Sequence, residues 1–95
     1  MATLTAQERE QLAQELVNLS FNRASGRLRR IDPRNKMAFF RNSQSPTTLH
    51  TRYDLPTKGV HVTLVEEMEE AADKSHPSLF RPKFKLAQVI IEPIA

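Results

Sequence analysis

The sequence predicts an α+β, mainly β domain: an N-terminal amphipathic helix followed by a small five-stranded antiparallel barrel or curled sheet. Three observations predict it. A capping box opens a stretch with apolar residues at helical spacing. Short alternating runs follow, and turn residues separate them about every eight to twelve positions. A chain of 95 residues suits one core and leaves little room for a second.

The helix begins at Thr5-Ala6-Gln7-Glu8, where Thr5 can accept from the Glu8 amide and Glu8 can reach back to the Thr5 amide. Leu12, Leu16 and Leu19 then fall on one arc, widened by Ala13 and Val17, with Gln7, Gln11, Gln14, Glu15 and Asn18 left for solvent. The pattern places this helix within 4–24, ending at Leu19 or Ala24, with Gly26 as its C′ residue or the start of the first strand.

The region 25–93 is expected to hold the five strands. Arg27–Ile31 and Lys36–Asn42 flank Asp32-Pro33-Arg34-Asn35, a run with a backbone-bonding Asp, a φ-setting Pro and an Asn that tolerates left-handed backbone. That chemistry predicts a first hairpin with Met37, Phe39 and Leu28 on one face. Asn42–Pro46 reads as a turn. Thr48–Leu55 alternates, with Leu49, Thr51, Tyr53 and Leu55 sharing a face, and Pro56–Gly59 is the next turn. Val60–Val65 alternates again, with Val60, Val62 and Leu64 inward. An acidic loop is expected over 66–82, where Glu66–Lys74 fits either two helical turns or a solvated connection. The last strand is Lys83–Glu92, ended by Pro93. The size is that of SH3 or OB modules, and closure would remove the open edges of such a sheet.

Composition excludes several functions. There is no cysteine, so there is no disulfide, thiolate metal site or cysteine nucleophile. Met1–Glu10 lacks a basic and apolar leader pattern, and no apolar run is long enough to span a bilayer; a cytoplasmic location and no membrane partner are expected. With only Gly26 and Gly59 there is no glycine-rich phosphate loop, and no nucleophile elbow or metalloprotease helix occurs. The paired carboxylates Glu66-Glu67 and Glu69-Glu70 sit in a polar run that offers no burial to raise a pKa. No enzyme and no cofactor are expected. His50 and His61 can face outward on neighbouring strands, but they and His76 form no ligand-spacing motif, so no metal site is expected.

Charge is the informative feature. The net charge of +3 hides a block at 22–53, where Arg23, Arg27, Arg29, Arg30, Arg34, Lys36, Arg41 and Arg52 oppose Asp32 alone. Clustered arginines repel one another and present forks that fit phosphate. Arg27, Arg29, Arg34, Lys36 and Arg41 are therefore the candidate phosphate ligands, with Phe40 or Tyr53 as base-stacking residues, and a single-stranded nucleic acid or RNA as the partner. The burial bias of Phe favours the opposite outcome for Phe39 and Phe40, one in the barrel and one beneath the helix. A second reading is an accessory subunit that docks on a protein through the helix or a sheet edge. The position of the acidic run separates the two: folded onto the arginines it masks them, and on the far face it leaves them free. The oligomeric state is not legible in the sequence.

Overall fold

The computed structural model describes residues 3–69 and 83–94. Two helices precede a four-stranded antiparallel sheet: α1 (Ala6–Val17), α2 (Phe21–Ile31), β1 (Lys36–Ser45), β2 (Thr48–Leu55), β3 (Val60–Glu69) and β4 (Lys83–Pro93). The α+β class is as expected. The fifth strand and the barrel are not: the strands run in the order β1-β2-β3-β4, with β1 and β4 at open edges.

One element explains the difference. Arg27–Ile31, expected as the first strand of a hairpin, is the second half of α2. Ser20 caps this helix by accepting from the Arg23 amide at 3.3 Å. Phe21, Ala24, Leu28 and Ile31 recur at helical spacing, with Ala24 and Leu28 fully buried and Phe21 and Ile31 packed against the same core. The chain breaks after Val17 and restarts at Phe21, so the single helix expected within 4–24 is two. α2 adds Ala24 and Leu28 to the core and bonds the sheet through Ser25 to Tyr53, while α1 packs on β4.

α1 forms as its sequence dictates. Thr5 Oγ1 accepts from the Glu8 amide at 3.2 Å, and Glu8 Oε1 accepts from the Thr5 amide at 3.0 Å. The bond from the Thr5 amide to its carboxylate lowers the Glu8 pKa, helped by the Thr5 hydroxyl beside it. Leu16 is buried, and Leu12 and Leu19 pack beside it.

The two central strands carry the core. Tyr53, Leu55, Val60, Val62 and Leu64 are buried on the helix-facing side with Leu16, Ala24, Leu28 and Leu86. Their register puts Val62 between Tyr53 and Ile91, and Leu55 beside Val60. The turn between β2 and β3 uses Gly59 at φ 66°, a left-handed conformation in which a Cβ would also come within 3.0 Å of the Thr3 hydroxyl. The segments at either end meet at this turn: Leu4 donates to the Lys58 carbonyl at 3.2 Å, and Ile94 to the Gly59 carbonyl at 2.8 Å.

β1 is the irregular edge. Its pairing with β2 shifts register between Met37 and Phe39, between Phe39 and Asn42, and between Ser43 and Ser45. These bulges let it run through Asn42–Ser45, expected as a turn, so that only Pro46-Thr47 links it to β2. They also separate Met37, which lies on the helix side opposite Tyr53, from Phe39, which pairs with Arg52 on the other face. Glu66–Glu69 continue β3 instead of opening the acidic loop; Glu70–Pro82 lie outside the described residues.

Candidate nucleic-acid interface

The arginines expected on a β-ribbon stand on a helix. At 100° per residue, Arg23, Arg27 and Arg30 fall within about a 60° arc on the outer face of α2, with Asn22, Gly26 and Arg29 turned toward β1. All four arginines are exposed, and Arg34 follows in the turn after the helix. Arg29 and Arg30 also occupy the last turn of α2, where the helix dipole favours cations. Among the described residues only Arg27 of this group has an ion pair, to Glu15 at 3.2 Å, with both side chains about half exposed. A pair so wet contributes roughly 0–1 kcal/mol and competes weakly with a polyanion.

Two grooves flank this helix. The first, of about 570 Å³, lies between α2 and β1 and brings together Arg29, Phe40, Arg41 and Tyr53 with Phe21, Ser25 and Met37. The second, of about 600 Å³, lies on the outer side and takes in Arg23, Arg27 and Arg30 with Glu15 and Leu19. Asn22 and Gly26 line both. Lys36 is exposed at the start of β1, opposite Asp54 in register.

Two residues have roles other than the expected ones. Tyr53 is 1% exposed; its ring is core and its hydroxyl bonds the buried Ser25 of α2, so it offers no face to a base. Arg41 is held by the chain's own carboxylate. Its Nε and Nη2 donate to the two oxygens of Glu66, each at 3.1 Å, and the Glu66 side chain is 1% exposed. The guanidinium also lies 5.2 Å from the Phe21 ring and 5.6 Å from the Phe40 ring. The first residue of the acidic run thus masks one arginine, while the α2 arginines stay exposed. Phe40 is 54% exposed, against the burial expected of it, and its ring meets Phe21 at a centroid distance of 6.1 Å and a tilt of 59°.

The sequence reading missed Arg23 and Arg30 as site residues, along with Asn22 and Gly26. The signal was the Ser20 cap followed by Phe21, Ala24, Leu28 and Ile31, which sets the helix phase and therefore the arginine stripe.

On the face of the sheet away from the helices, Asp54 Oδ1 meets His61 Nδ1 at 2.7 Å and accepts from Arg52 Nε at 3.0 Å. Partial burial pushes the Asp54 pKa up, but the bonds from His61 and Arg52 outweigh it and hold the pKa low. His61 pairs with Asp54 while His50 pairs with Val65, so the two histidines stand four residues apart along β2, about 13 Å at 3.3 Å per residue. They do not form the two-ligand pair that adjacent strands would have allowed. No group of three or more His, Asp or Glu side chains suited to a metal occurs among the described residues. No described helix is long and apolar enough to cross a membrane.

The fold and site therefore define an α+β domain with a basic helix laid against an open antiparallel sheet. The chain matches no known protein-family model, curated protein or solved structure.

Proposed function

We propose that the protein is a non-catalytic nucleic-acid-binding module that sets the arginine face of α2 against the phosphates of a single-stranded or locally unpaired strand. One observation carries this reading: Arg23, Arg27, Arg29, Arg30 and Arg34 are all exposed over three turns of chain, with one weak ion pair between them and the described residues. Guanidinium forks at this density repel one another until an anion arrives, and phosphate both accepts their bonds and releases counterions. The phosphate ligands are these five arginines; Lys36, in register with Asp54 on the face of the sheet away from the helices, stands apart from them, and Arg41 serves the fold.

Docking on a protein through α1 has less support, because the apolar stripe of that helix is already covered by the chain's own sheet. The sheet edges are the surfaces left for that alternative, that of β1 more than that of β4, on which α1 packs.

The test is fluorescence anisotropy with labelled single- and double-stranded DNA and RNA at two salt concentrations. Binding is expected at low salt and is expected to weaken steeply as salt rises. Arg23→Ala and Arg30→Ala should each reduce the slope of log K against log salt by about 0.7 on a single strand. No binding to any of the four nucleic acids at low salt would end this reading.

A further inference from the structure

The groove between α2 and β1 contains two features that the chain's own packing does not call for. One is Gly26, in the interior of α2. Glycine weakens a helix there relative to alanine. Among the described residues nothing requires it: a Cβ added at Gly26 would meet none of their atoms within 4 Å, and its φ is not positive. Glycine in such a place fits the close approach of a ligand to the backbone. The other is Phe40, which stays 54% exposed although Phe21 and Arg41 hold its ring in place. A large apolar ring fixed at the mouth of a groove is a stacking platform.

The groove between them is of about 570 Å³, within the range of sites for small organic groups. Its walls are apolar at Phe21, Phe40 and Met37, and polar at Asn22, Ser25 and Arg29. The Asn22 amide both donates and accepts, as the hydrogen-bonding edge of a base requires. Arg29 provides a cation where the phosphate attached to that base would pass.

We propose that this groove seats one unstacked nucleobase, stacked on Phe40 and admitted to the helix surface at Gly26. The proposal rests on the nucleic-acid reading above and adds a base-specific subsite to a charge-driven surface. Phosphates bind along the outer stripe of α2, and one base turns across Gly26 into the groove.

The experiment compares a single-stranded oligonucleotide with an abasic strand of the same length and charge, each in deoxy form, with a ribo version of the first to separate RNA from DNA. Stacking of one base predicts that the wild type prefers the base-bearing strand by about 5- to 150-fold. Phe40→Ala should reduce its affinity for that strand to near that for the abasic one. Gly26→Leu should do the same by filling the groove, without a fall in melting temperature, because its side chain enters open space. A fluorescent base analogue in the strand should change its emission on binding to the wild type and not to Phe40→Ala. Equal wild-type affinity for both strands, or a preference that survives both folded variants, overturns the subsite and leaves the arginine surface standing. Binding to neither strand overturns both.

Discussion

Replacing Arg41 by alanine is expected to destabilise the fold by about 2 kcal/mol, because it strands a buried carboxylate although the guanidinium itself is 44% exposed. Glu66 is the inward-facing residue that follows Val60, Val62 and Leu64 along β3, and its register neighbours are Leu49 and Leu86. Its carboxylate is tolerated there because Arg41 supplies both of its bonds, in fork geometry, from across the sheet. The backbone of Arg41 is shaped to do so. At φ 45° it occupies the left-handed region, within a register shift of β1, and its amide donates to Thr51 Oγ1 at 3.0 Å. Alanine at this position keeps the unfavourable φ and leaves a buried charge alone. Arg41→Ala/Glu66→Gln should recover part of the loss, since the orphaned charge is gone. Urea denaturation of the two variants measures both effects; a loss below about 1 kcal/mol for Arg41→Ala would mean that the pair is solvated.

Asp32→Ala is expected to cost more, about 3 kcal/mol, for a different reason. The side chain is fully buried at the C-terminal cap of α2. Oδ1 accepts from the Arg34 amide at 2.8 Å, and Oδ2 from the Thr57 amide at 2.9 Å. One carboxylate therefore closes the turn into β1 and ties it to the turn between β2 and β3. Alanine leaves two amides without acceptors, and asparagine leaves one, so Asp32→Asn should cost about half as much. Burial pushes the Asp32 pKa up, but the amides of Arg34 and Thr57, helped by the Thr57 side chain and Lys58, outweigh it and hold the pKa below its usual value of 3.8. A folded pKa below the unfolded one gives stability that is present above the unfolded value and is lost as pH falls through the folded one. Asp54, also lowered, adds to the same trend. The wild type should therefore lose stability below about pH 4, and Asp32→Ala should lose less over that interval. Thermal melts across that range check the sign; a parallel fall in both proteins would remove Asp32 from the account.

The parts of the fold legible in the sequence are those set by local chemistry. The Thr5 capping box and the alternation of Thr48–Leu55 and Val60–Val65 specify α1, β2 and the inward face of β3. α2 is hidden in the sequence because Gly26 resembles a helix stop and Arg27-Leu28-Arg29 resembles an alternating strand. The competing signal was the longer apolar period from Phe21 to Ile31. A four-residue turn motif at Asp32 then suggested a hairpin, although it closes a helix-to-strand turn instead. The bulges of β1 have no local signature, and Arg41 and Glu66 meet only because those bulges set the register across β2. Charge clustering was legible, whereas the face that carries it depended on whether residues 27–31 coil or extend.

The most direct test of the account is the salt dependence of binding for the wild type beside the double variant Arg23→Ala/Arg30→Ala, on one single-stranded oligonucleotide. Both side chains are exposed and neither has an ion pair among the described residues, so the variant should fold as the wild type does. The log–log slope is predicted to flatten by about 1.4 in the double variant, two phosphate contacts at about 0.7 each. An unchanged slope in a folded double variant would show that the exposed face of α2 does not touch phosphate.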